Sequence, residues 1–133
     1  MTTGEVARSC GVSADTVRYY ERRGLITSRR AENGYRQYVD ETVQRVRVIR
    51  RAIAVGFGVD EIAKFFRERR AGHPPCRAVR AAAEGKLQEI DRRIAEMISL
   101  REHLAAILRD WDVRLAHGEP AHLLDSLPER KIQ

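Results

Sequence analysis

The residues best suited to chemistry gather in "DTVRYYERRGLI", Asp15 to Ile26, where two adjacent tyrosines follow one arginine and precede two more. Arginine presents parallel N–H donors that match a guanine edge or a phosphate, and a phenol hydroxyl reaches backbone phosphates while its ring packs nearby. If this stretch is a helix entering a major groove, its early residues Ala14, Thr16, Val17 and Arg18 face the bases. Tyr19 and Tyr20 then face the backbone, with Arg22 or Arg23 adding charge. Tyr20 shares a helix face with Val17 and is equally suited to a core. Catalysis has no comparable seat: the carboxylates form no converging pair, and no Ser-His-Asp set, phosphate-cradling loop or glycine-rich fingerprint occurs. An enzyme is not expected.

The charge balance points the same way. Residues 1–70 hold 15 Lys and Arg against 9 Asp and Glu, whereas residues 71–133 hold 10 of each. The whole excess of +6 therefore lies in the first half, as for a polyanion-binding module joined to a neutral one. Hydrophobic residues at 43% and charged residues at 33% exclude a disordered or a membrane-spanning chain. The apolar runs are too short for a signal peptide or a spanning helix, so the expected location is the cytoplasm. In that reducing setting Cys10 and Cys76 are read as thiols, Cys10 filling a small core position.

The elements that must position these residues follow from caps and periodicity. Thr2-x-x-Glu5 has the form of a capping box, opening a short helix with Val6 and Ala7 inward and ending near Cys10. Gly11 supplies a turn, Ser13 caps a second helix whose Val17 and Tyr20 share a face, and Gly24 ends it: a helix-turn-helix. In "TSRRAENGYRQYV" the pair Asn33-Gly34 marks a tight turn between short strands, a wing. Val43, Val46, Ile49 and Ile53 set a helix between Asp40 and Val55, with Arg45, Arg47, Arg50 and Arg51 on its surface. Val59, Ile62, Ala63 and Phe66 set another, closed by a glycine-proline break. Beyond Pro75 comes one helix of about 40 residues. Leu87, Ile90, Ile94, Met97, Leu104, Leu108 and Trp111 recur along it in three- and four-residue steps, interrupted by Arg101 and widened by Ile98, Leu100 and Ile107. No second long helix exists to cover that stripe within the chain, which predicts self-association. A short loop and a last helical turn or two complete a mainly α chain: a winged helix-turn-helix over 1–72, a dimerisation helix over 76–116 and an effector-binding tail over 117–133.

"TVRYYERRGLI" and "NGYRQY" (Asn33 to Tyr38) resemble the signature of MerR-family transcriptional regulators, and with "GEVARSCGVS" and "IRRAIAVGFGVDEIAKFF" the resemblance runs nearly continuously over residues 1–70. It extends through the long helix to about residue 130. Thr3 departs from the aliphatic residue common there. The resemblance implies a homodimer whose long helices pair antiparallel as a coiled coil. It further implies binding to double-stranded promoter DNA and a twist of that DNA, on effector binding, that lets RNA polymerase use it, so the polymerase is engaged only indirectly. By match of position, Arg18, Tyr19, Tyr35 and Arg36 are the implied DNA contacts, joined by Thr16 from the groove reading and by Tyr20, Arg29, Arg30 and Tyr38.

The resemblance also implies an effector. Divalent-metal sensors of the family carry a cysteine at the start of the dimerisation helix, and Cys76 fits that place, where a helix N-terminus suits a thiolate ligand. Such sensors add a cysteine-rich loop after the helix, and here this chain departs from the pattern. It has Asp112-x4-His117-x4-His122 with Glu119 between. Together with Cys76 of the partner subunit these residues compose a mixed sulfur, nitrogen and oxygen set suited to a divalent ion, zinc first and cobalt or nickel next. Asp112 as a solvated residue, His117 as a helix-terminal cation and His122 as a cap are the plainer readings. Two alternatives stay open: an organic ligand or oxidative chemistry sensed through Cys76, and a coiled-coil adaptor whose basic half binds an acidic protein.

Overall fold

The computed structural model describes residues 1–118 and 122–129. Helix α1 (Thr3–Cys10) starts on the expected capping box: the Thr2 hydroxyl accepts from the Glu5 N–H at 3.2 Å, and the Glu5 carboxylate accepts in return from Thr2. Those bonds from Thr2 hold the Glu5 carboxyl below its usual range. Gly11 leaves α1 with φ +68°, a left-handed conformation that costs a residue without Cβ nothing. Helix α2 (Ala14–Arg22) starts on Ser13, whose hydroxyl accepts from the Thr16 N–H at 3.0 Å.

Two two-residue strands, β1 (Arg29–Arg30) and β2 (Arg36–Gln37), pair antiparallel with Arg29 opposite Gln37 and Arg30 opposite Arg36. The Asn33 side chain accepts from the Tyr35 N–H at 3.1 Å, and Gly34 takes φ +82°, so the Asn-Gly pair makes the expected turn. Helices α3 (Glu41–Ala54) and α4 (Val59–Arg70) follow. Among the predicted inward residues of α3, Val46 and Ile49 are fully buried, with Thr42 beside them. Arg45 corrects the surface assignment of its group: it is half-buried with its guanidinium 4.5 Å from the centre of the Phe66 ring, because α4 brings that ring across α3. Burial and the nearby Arg70 and Arg69 push its proton affinity down.

One core joins α1 to α4. Val6, Val17, Leu25, Val46 and Ile49 are its fully buried members, and Tyr20, Ile26, Tyr38, Ile62, Ala63 and Phe66 close around them. Helix α5 then runs unbroken from Cys76 to Ala116, 41 residues, and a 3₁₀ turn forms at Leu124–Ser126. The chain divides into two compact units, Met1–Lys86 and Leu87–Gln133, so the first turns of α5 pack with the N-terminal unit. In the second unit Ile90, Ile94, Met97, Leu104 and Leu108 are each about half exposed or more, and no residue of α5 is buried. Among the described residues, no helix is long and apolar enough to cross a membrane.

Candidate nucleic-acid interface and effector residues

The first turn of α2 is held by its own hydroxyls: Ser13 and Thr16 lie 2.8 Å apart, so Thr16 serves the helix cap while its side chain stays partly exposed. One turn on, Arg18 Nη1 meets Asp15 Oδ1 at 2.7 Å, with side-chain exposures of 40% and 93%. An exposed pair of this kind contributes at most about 1 kcal/mol, so a phosphate or a guanine edge competes for Arg18 on favourable terms. Tyr19 is exposed, its ring 5.9 Å from the Arg22 guanidinium and 6.2 Å from the Tyr20 ring. Tyr35 is the most exposed aromatic residue of the wing at 70%, and Arg30 reaches over the turn to donate to the Gly34 carbonyl at 2.8 Å. Of these side chains, Arg18, Arg30 and Tyr35 meet. A cleft of about 240 Å³ is lined by the start of α1, by Arg18 of α2 and by Arg30, Gly34, Tyr35 and Arg36 of the wing.

Tyr20 and Tyr38 stand apart from that surface. Each is 3% exposed and belongs to the core, because each falls on the inward register of its segment. The Tyr38 hydroxyl donates to Glu21 Oε2 at 3.0 Å, and burial with the adjoining Glu21 carboxylate pushes the phenol up, so it remains a proton donor. Glu21 was invisible to sequence reasoning as a site. It accepts from the Ser28 hydroxyl, from Tyr38, and from Arg36 Nε at 2.8 Å, binding the end of α2 to both flanks of the wing. Its place in "RYYE" was the only signal. Arg29 is exposed on β1 without an ion pair of its own among those seen in the described residues.

The effector candidates are more dispersed. Cys76 is the first residue of α5 and its thiol is exposed. Asp112 is exposed in the last turns of the same helix. The His117 ring places Nδ1 2.8 Å from the Val113 carbonyl, an acceptor, so Nδ1 is the donor in that bond and Nε2 takes no part in it. His122 Nδ1 lies 3.9 Å from Asp125, and Glu119 lies outside the described residues. Among the described residues of the single chain, no three His, Cys, Asp or Glu side chains come together around one ion. Trp111, predicted on the apolar stripe, instead donates from Nε1 to the Ser126 hydroxyl at 3.2 Å, which donates in turn to the Leu123 carbonyl at 2.6 Å. That fold-back encloses a cleft of about 260 Å³ lined by His103, Ile107, Asp110, Trp111 and Pro128 among others.

Comparison with known proteins decides the class. The family model described as MerR HTH family regulatory protein matches residues 1–69, and the model described as MerR, DNA binding matches residues 43–107. The chain belongs to the MerR family. It is similar to the HTH-type transcriptional regulator HmrR of Rhizobium leguminosarum bv. viciae, 38% identical over 78% of this chain and 83% of that one. It is also similar to the mercuric resistance operon regulatory protein of Bacillus cereus, 39% identical over 71% of this chain and 72% of that one. Among solved structures it resembles the transcription regulator PbrR691 of Ralstonia metallidurans CH34 in complex with lead(II), with TM-score 0.71, 28% identity, and coverage of 82% of this chain and 86% of that one.

The chain is therefore a DNA-binding transcriptional regulator of MerR type, not an enzyme. In this MerR-family chain the family motif does two jobs at once: Arg18 and Tyr19 face outward, while Tyr20 and Glu21 lock the helix that presents them to the core and the wing.

Proposed function

We propose that this regulator works as a homodimer, paired through the α5 stripes, that grips double-stranded promoter DNA with two α2-and-wing surfaces. A divalent metal ion then triggers a change in DNA twist that RNA polymerase exploits. The observation that carries the reading is the convergence of Arg18, Arg30, Tyr35 and Arg36 on one cleft. Cations from two elements, with a phenol at the rim, suit a phosphate backbone at a groove edge. Thr16, Tyr19 and Arg29 extend the contact surface, whereas Tyr20 and Tyr38 act from within by fixing the helix and wing. Removing the Arg18 side chain is expected to weaken a specific promoter fragment by about 1–3 kcal/mol if it reads a guanine.

One similar protein is named as the regulatory protein of a mercuric resistance operon and a similar solved structure is a complex with lead(II), which supports a metal effector. This chain's donors are Cys76 of the partner subunit with Asp112, His117 and His122, and Glu119 as a further oxygen. With a single thiolate, that set fits zinc, cobalt or nickel better than mercury or lead. His117 Nε2, which takes no part in the Nδ1 contact, is the ring atom suited to such an ion. A metal bound there would supply positive charge and fixed geometry at the end of α5. Cobalt titration of the purified dimer tests this: the wild type should develop a thiolate-to-cobalt absorption band that Cys76→Ser abolishes. An unchanged band in the variant would remove the site.

The cleft beside Trp111 favours a second reading, an organic effector held between α5 and the 3₁₀ turn, reported by fluorescence of Trp111 without any metal. The exposed Cys76 also suits oxidative sensing. A coiled-coil adaptor for an acidic protein is set aside by the family match.

A further inference from the structure

The first turn of α4 carries two adjacent carboxylates, and each holds a different helix. Asp60 pairs with Arg23, which caps the C-terminus of α2. Glu61 Oε1 takes the Lys86 ammonium at 2.9 Å, about three turns into α5, and accepts the Gly58 N–H at 3.3 Å, closing the start of α4. Lys86 is well seated there. Its side chain is 28% exposed and that of Glu61 32%, its ammonium lies 5.1 Å from the centre of the Phe57 ring, and Phe57 stands edge-on to Phe65 with centroids 6.1 Å apart. The lysine's bond to Glu61 holds that carboxyl below its usual range, and the Asp60 contact raises the proton affinity of Arg23.

We propose that Lys86 is a positioning residue for the DNA-reading helix: it anchors α5 to the acidic turn of α4, and the adjoining Asp60 fixes the end of α2 through Arg23. A movement of α5 that pulls Lys86 displaces the Gly58–Glu61 turn, and with it the Asp60 carboxylate that holds Arg23 at the end of α2. The route is short, formed by directional charged bonds, and lies within one compact unit. It rests on the reading above, in which α5 carries the effector signal, and it names the residues through which that signal reaches α2.

The test needs no effector. Affinity for a fragment of the chain's own promoter region is measured by fluorescence anisotropy at about 0.05 M salt, where exposed charge pairs are least screened. The proteins are the full-length wild type, Lys86→Met, Lys86→Arg, Asp60→Asn, the Lys86→Met/Asp60→Asn double variant and Lys64→Met as a charge-matched control. Circular dichroism melts and sedimentation confirm that each is a folded dimer. Lys86→Met and Asp60→Asn should each weaken binding about 2- to 5-fold. For Asp60→Asn that direction opposes the bulk effect of deleting a negative charge near DNA. Lys86→Arg should restore wild-type affinity, Lys64→Met should change it less than Lys86→Met does, and the double variant should bind no worse than the weaker single one. The proposal is overturned if Asp60→Asn tightens binding, if the single losses multiply in the double variant, or if Lys64→Met matches Lys86→Met. A wild type that ignores the fragment would instead sink the promoter-binding reading, and that arm is read first.

Discussion

From Val6 to Phe66 the chain buries twelve hydrophobic residues, while α5, with a comparable apolar periodicity, buries none. The pattern in sequence is the same: apolar residues at three- and four-residue steps. What differs is return. Between α1 and α4 the turns at Gly11, Gly24, Asn33-Gly34 and Gly56 bring each stripe back against another within about 20 residues, so the core closes inside one chain. Helix α5 has no turn for 41 residues, and its apolar stripe stays open among the described residues, which include one 3₁₀ turn after it. An isolated helix gains most of its stability from tertiary packing, and an apolar row this long is the mark of a surface awaiting a partner. The N-terminal unit is thus self-sufficient in packing, whereas the stripe of the rod stays exposed in the single chain, which is the ground for the proposed pairing with a second copy.

The sharpest way to break this comparison is to charge the rod. Ile94→Asp combined with Leu104→Asp puts two carboxylates into the seam, and symmetry doubles them. Each uncompensated charge buried in an apolar contact costs several kcal/mol, so the dimer should lose more than about 6 kcal/mol and vanish at micromolar concentration. Sedimentation equilibrium should give a monomer, and far-ultraviolet circular dichroism should show loss of helix confined to the length of α5. A dimer that survives both aspartates would place the interface elsewhere.

The complementary cut is in the N-terminal unit. Ile49 is fully buried between α3 and its neighbours, so Ile49→Ala should lower stability to urea by about 2–5 kcal/mol while leaving dimerisation through α5 unchanged. Leu100→Ala, made in the monomeric background above, should shift stability by no more than about 0.5 kcal/mol, because Leu100 is 47% exposed in the single chain. Comparable losses at the two positions would mean that the rod packs within its own chain.

The same contrast explains what the sequence disclosed. Caps and turns are local: Thr2 with Glu5, Ser13 with Thr16, and Asn33 with Gly34 act across two or three residues, so their geometry could be read directly. Helical periodicity picked Val46, Ile49, Ile62 and Phe66 for the core, and all four are buried; Val17, read also as facing the bases, and Tyr20, read also as a DNA contact, are buried with them. Contacts between distant segments left no such trace. Glu21 gathering Ser28, Arg36 and Tyr38, Arg45 lying on Phe66, and Lys86 meeting Glu61 each depend on how helices cross, which spacing along one helix does not encode. Tyr38 shows the cost: a tyrosine beside a wing reads as a surface contact until the core behind it is known. The proposed effector residues were legible as a spacing only, and among the described residues of one chain they do not come together.

A kinetic effect separates the two cysteines, one in each setting. Cys10 is half-buried at the end of α1 with Sγ 3.7 Å from the Val43 carbonyl, and burial pushes its thiol up. Cys76 is exposed at the first position of α5. Because the thiolate is the reacting form, a raised Cys10 leaves less of it at any given pH, and closed packing slows the reagent further. Iodoacetamide at pH 8 should therefore modify Cys76 at least about 10-fold faster than Cys10, as read by peptide mass spectrometry, a ratio worth about 1.4 kcal/mol. Raising the pH should speed Cys10 by increasing its thiolate fraction, and mild urea that opens the core should speed it more. Equal rates in the native protein would mean that the end of α1 is open to solvent and that the closed core stops short of it.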